Sequence, residues 1–100
     1  MDNLDTKARD LLAKAINSAH GRAAKIIINE GHLRQTAIAL AKGTETSEHN
    51  APKCESVLVL MGEIAIGDAI VGEGEFFVPD ADRRTVTANE HSVYLLTTVV

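Results

Sequence analysis

Along residues 3–19 the apolar positions Leu4, Ala8, Leu11, Leu12, Ala15, Ile16 and Ala19 recur at spacings of three and four, with charged residues between them. That is the period of one helix face, and it predicts an amphipathic helix with a narrow, Ala-rich stripe that must lie on something larger. Asp2 or Asn3 can cap its start, Asp5/Arg9 and Asp10/Lys14 are oppositely charged one turn apart, and Gly21 can take the left-handed turn that ends it. His20 then falls at the helix end, where a positive charge suits the dipole.

After Gly21 the pattern changes to short runs of β type over 23–29, 33–41, 55–60, 63–66, 69–71, 75–78, 84–87 and 92–99. Turn residues punctuate them: Asn29-Glu30-Gly31, Gly67-Asp68, Gly72-Glu73-Gly74, Pro79-Asp80 and Ala88-Asn89-Glu90. Short strands broken in this way describe a β-sandwich or small barrel. The runs 57–61 and 93–96 are apolar on both faces, which requires one face to line an interior and the other to be covered by a helix or a second subunit. A homodimer is the expectation.

Composition narrows the function classes. One hundred residues with 45% hydrophobic content fit one compact domain, an N-terminal helix over 1–21 followed by a β-barrel over 22–100. The net charge of −4 and the three aromatic residues leave no basic patch and no stacking platform, so nucleic acid is not an expected partner. No apolar run reaches the length of a membrane span, and residues 1–5 lack the character of a secretory signal, so the expectation is a cytoplasmic protein that does not engage a membrane. Cys54 is the only cysteine, which rules out an intrachain disulfide. No neighbouring His or Cys activates it.

The stretch 43–62, GTETSEHNAPKCESVLVLMG, joins a polar, turn-prone segment to a dense apolar run, with His49 and Glu55 at the junction where a pocket would form. Gly43, five residues, His49-Asn50-Ala51, three residues, Glu55, six residues and Gly62 resemble the first motif of the cupin superfamily. Gly74, Pro79, Ala81, Arg84 and Ala88-Asn89 resemble the second, with a Gly-to-Pro interval one residue short. The resemblance spans about residues 33–97 and implies an all-β, cupin-like double-stranded β-helix, a jelly-roll barrel, preceded by the helix.

Metal-binding cupins use two His and one Glu from the first motif and one His from the second. Here His49 and Glu55 keep two of those places, Ala51 occupies a third and Arg84 the fourth. Alanine cannot ligate, and a guanidinium has no lone pair to give. The expectation is a metal-free, non-catalytic small-molecule-binding or structural or regulatory module with no cofactor, its pocket marked by His49, Glu55 and Arg84. Arg84 would replace the metal's charge, pairing with Glu55 or with a small anionic ligand; equally, the one-residue slip in the second motif turns Arg83 or Arg84 out to solvent, where Asp80 and Asp82 pair with it. The alternatives are a metal-dependent isomerase or dioxygenase in which His49 and Glu55 are joined by His32 or His91, and a pure assembly protein. Gly72-Glu73-Gly74 precedes a strand and carries acidic residues, so it reads as a turn and not as a phosphate loop.

Overall fold

Asn3 starts helix α1 (Leu4–Ile16) as its cap, with an extended backbone and a side-chain oxygen that accepts from the Thr6 N–H at 3.2 Å. The computed structural model describes residues 3–48, 56–79 and 84–100, and only the backbone at 47, 48 and 84. Arg9 Nε lies 3.2 Å from Asp5 Oδ2, as the i,i+4 spacing predicts.

The helix is shorter than its apolar period suggests. It ends at Asn17, whose side-chain amide donates to the Ala13 carbonyl and so satisfies a last-turn acceptor locally. Gly21 does adopt a left-handed φ of 66°, but it lies past the helix and leads into the first strand. A side chain there would collide with the Thr44 hydroxyl, so this glycine serves a close approach between two chain segments. His20 is therefore exposed and beyond the reach of the helix dipole.

Nine strands follow: β1 (Arg22–Glu30), β2 (Leu33–Leu40), β3 (Glu45–Glu48), β4 (Ser56–Met61), β5 (Glu63–Ile66), β6 (Ala69–Gly72), β7 (Phe76–Phe77), β8 (Arg84–Ala88) and β9 (Ser92–Val99). They form two antiparallel sheets, one ordered β1-β2-β9-β4-β7 and the other β3-β8-β5-β6. Strand β3, sequence ETSE, has no apolar alternation to announce it. It forms as an edge strand paired with β8, where polar residues are well tolerated.

Two apolar layers explain the two-faced runs. Ile38, Leu40, Val57, Val59, Tyr94, Ile64, Ile66, Val71, Val86 and Ala88 fill the space between the sheets. On the outside of the five-stranded sheet, Ala37, Ala39 and Val93 are buried under Ala8, Leu11 and Ala15 of α1. Small residues on both sides let the helix lie close. A register shift between Val59 and Met61 places both Leu60 and Met61 against this second layer, which strict alternation would forbid. The cover that these runs require is thus supplied by the chain's own helix.

Candidate functional site

Short connections between the two sheets gather at one end of the barrel. Leu40 passes to Glu45 through residues 41–44, Met61 to Glu63 through Gly62 alone, and Ala88 to Ser92 through residues 89–91. All three lie at one end and knit it shut. Asn89 Nδ2 donates to Glu63 Oε2 at 3.0 Å, and the Asn89 N–H to the Glu63 carbonyl at 3.0 Å. The fully buried Ser92 hydroxyl accepts from the Glu63 N–H at 3.0 Å and lies 2.7 Å from the Glu90 carbonyl. Gly62 has φ +80°, and a Cβ there would collide with the His91 carbonyl and the Ser92 hydroxyl.

Two residues of the motif resemblance, Gly62 and Asn89, therefore hold the base of the barrel together. Their role is backbone geometry and hydrogen bonding at the closed end. Gly72-Glu73-Gly74 is likewise a turn, in which the Glu75 carboxylate accepts from the Gly72 N–H at 2.7 Å and the Gly74 N–H donates to Val59. An anion there would meet the carboxylate that already occupies the donor.

The opposite end carries the candidate site. On β2, Ile38 and Leu40 belong to the inter-sheet layer while Ala37 and Ala39 belong to the helix-covered face. By the two-residue period of a strand, Thr36 and Arg34 continue the inner series toward this end. Thr98, buried and directly across from Arg34, continues it on β9. The inner wall thus changes from aliphatic at the base to polar at the mouth.

On β8 the inner series is Ala88, Val86 and then position 84, the first residue of the strand at the mouth. Arg84 thus holds a register position shared with two core residues, and its cross-strand partner on β3 is Glu48. Of the other expected site residues, His49 and Glu55 lie outside the described residues, as do Ala51, Cys54 and Arg83.

Arg34 belongs to this end and is not among the residues that sequence reasoning singled out. Its Nε is buried without a hydrogen-bond partner, and one terminal nitrogen reaches Asn29 Oδ1 only at 3.5 Å. No carboxylate among the described residues forms an ion pair with it. In the sequence it is one polar position in a strand of mixed character, and only the sheet register reveals that it shares a face with Ile38 and Leu40.

The histidines at the strand turns divide between the two ends. His32 stands at the β1–β2 turn near the mouth, its Nδ1 2.7 Å from the Val100 carbonyl, to which it donates. His91 stands at the closed end, where its Nδ1 accepts from the Lys42 N–H at 2.9 Å. The eight-residue β2–β9 pair separates them, so the two cannot serve one metal site. Among the described residues no three His, Cys, Asp or Glu side chains gather as a metal site.

No family model matches this chain, and no curated protein matches it. Solved structures do. A conserved protein of unknown function from Streptococcus pyogenes is 26% identical, with 82% of this chain aligned to 76% of that one at a TM-score of 0.65. An RmlC-like cupin from Shewanella frigidimarina is 18% identical over 81% of this chain and 78% of that one, at a TM-score of 0.67.

This chain has the cupin fold. A salicylate 1,2-dioxygenase from Pseudaminobacter salicylatoxidans shares it at 18% identity and a TM-score of 0.75, with 94% of this chain covering 33% of that longer one. The helix α1 and the cupin barrel together match part of a larger enzyme, and the likeness at this identity is one of fold. Among the described residues no helix is long and apolar enough to cross a membrane.

Proposed function

We propose that this protein is a metal-free, non-catalytic cupin module that binds a small anionic molecule at the open end of its barrel. The observation that carries the reading is the register of β8. Arg84 takes the place of a metal ligand in the motif resemblance, and its strand position continues the inner-facing series of Val86 and Ala88. A cation fixed at that point supplies the positive charge that a metal would otherwise provide, and its fork geometry suits a carboxylate.

Arg34 supports the same reading from the facing sheet, since a partly buried guanidinium with an unsatisfied Nε gains from an acceptor. His49 and Glu55 complete the proposed pocket, with His49 as a hydrogen-bonding group and Glu55 as a partner that fixes Arg84. Barrel mouths of this kind, apolar below and polar at the rim, are usual places for a ligand.

The test is a thermal-shift series with mono- and dicarboxylates on the wild type and on Arg84→Ala and Arg83→Ala. A ligand present at 100 times its Kd stabilises by about 2.7 kcal/mol, enough to read as several degrees. The reading expects a carboxylate-dependent shift that Arg84→Ala abolishes and Arg83→Ala keeps. Equal, near-zero effects of the two substitutions on both stability and ligand response would sink it. A shift produced by a divalent transition metal instead would favour the enzymatic alternative.

A further inference from the structure

Arg34 carries two nitrogens that the described protein leaves short of acceptors, and both lie on one edge of its guanidinium. Nε is buried without a hydrogen-bond partner, and Nη2 reaches Asn29 Oδ1 only at 3.5 Å, the outer limit of a hydrogen bond. These two nitrogens form the side-on fork of an arginine, the edge whose parallel N–H groups match the two oxygens of a carboxylate. A buried N–H without an acceptor is unfavourable, so the folded chain holds this fork open against its own stability.

The strands fix what surrounds the fork. Thr98 lies directly across from Arg34 on β9 and is buried, and Thr36 stands two positions deeper on β2. Across from Thr36 is Leu96, half-buried against the inter-sheet core, and beyond it come Ile38 and Tyr94. An acid group at the fork therefore has a hydroxyl beside it and an aliphatic floor below. A second acid group carried down that wall would be buried against Leu96 without a partner, which is strongly unfavourable. Asn29 is exposed, so its neutral amide yields the fork to a charged acceptor, which makes hydrogen bonds roughly twice as strong.

From this arrangement we infer that Arg34 grips the ligand's acid group side-on, through Nε and Nη2, and that the ligand is a monocarboxylate with a short apolar tail lying toward Leu96. The inference rests on the anion-binding reading of the barrel mouth and adds the anchoring atoms and the class of acid. One carboxylate has acceptor sites enough for Arg84 on the facing sheet as well, so both arginines serve a single acid group. Arg34→Lys keeps the charge and loses the fork, whereas Arg34→Met keeps the stem and loses both.

The experiment is isothermal titration calorimetry and thermal unfolding of the full chain in carboxylate-free buffer, with butyrate, butyramide and glutarate as probes. Wild type is expected to bind butyrate, to ignore butyramide and to bind glutarate more weakly than butyrate. Arg34→Lys and Arg34→Met are expected to bind butyrate about tenfold or more weakly, as the loss of charge-assisted hydrogen bonds predicts. Without ligand, Arg34→Met is expected to unfold at or above the wild-type temperature, because it fills the space of the stem and buries no unpaired N–H. Butyrate binding kept by Arg34→Met and lost by Arg84→Ala would overturn this inference and leave the anion-binding reading standing. Failure of wild type to bind either carboxylate would overturn both. An Arg34→Lys variant that binds butyrate as wild type does, tighter binding of glutarate than of butyrate, or a ligand-free Arg34→Met clearly less stable than wild type would also overturn the inference.

Discussion

Gly62 offers the sharpest mutational test of the barrel's base. Its φ of +80° is a conformation in which a Cβ costs ~1–2 kcal/mol by itself. In addition, an alanine methyl would collide with the His91 carbonyl and the Ser92 hydroxyl. Neither neighbour can yield freely. The carbonyl is backbone, and the hydroxyl is fully buried and bonded to Glu63.

Moving the hydroxyl aside leaves the Glu63 N–H without its acceptor, a loss of ~1–3 kcal/mol. Together the two costs predict that Gly62→Ala destabilises by about 2–5 kcal/mol. That is a large share of the ~5–15 kcal/mol by which a domain is stable. Gly31 provides the control, because it has φ +56° but nothing within 4 Å of the place a methyl would take. Gly31→Ala should cost only the backbone part, ~1–2 kcal/mol. The assay is urea denaturation followed by far-UV circular dichroism, chosen because the chain has no tryptophan. If the two substitutions cost the same to within ~0.5 kcal/mol, the close packing at the base is wrong.

Three further outcomes follow from the same packing. Ser92→Ala should cost ~1–3 kcal/mol in the same urea assay, because a buried N–H loses its acceptor with no water to replace it. Leu11→Ala should cost ~2–5 kcal/mol and expose the outer sheet face to a hydrophobic dye, since Leu11 is the largest buried side chain that α1 places on Ala37, Ala39 and Val93. Asn3→Ala should lower stability by about 1 kcal/mol, measured by thermal unfolding, through loss of the cap to Thr6.

Much of the architecture was legible where apolar pattern and turn residues agreed. The runs over 63–66 and 92–99 coincide with β5 and β9 because each is bounded by turn residues and has one face in the inter-sheet layer. Strand β3 was not legible. ETSE reads as loop, and only its pairing with β8 makes it a strand, a tertiary effect that local propensity cannot register. The helix end was misread because Ala19 continues the apolar period, while Asn17 closes the last turn through its own side chain.

For the candidate site, the sequence and the sheet register contribute different things. The motif spacing pointed to Arg84, and the sheet register adds what spacing lacks, namely that position 84 continues the series of Val86 and Ala88. Arg34 could not be found in the same way. Its significance depends on which face of β2 meets the other sheet, and the run LRQTAIAL carries apolar residues on both faces because α1 covers one of them. The dimer expectation drew on the same two-faced runs, which the chain's own helix explains.

The most direct test of the central claim is the metal content of the protein, purified without a histidine tag, exposed to manganese, iron, nickel and zinc, and desalted before elemental analysis. A cupin barrel in which Arg84 stands in place of a metal ligand predicts every transition metal far below one atom per chain. One metal retained near one atom per chain would contradict it.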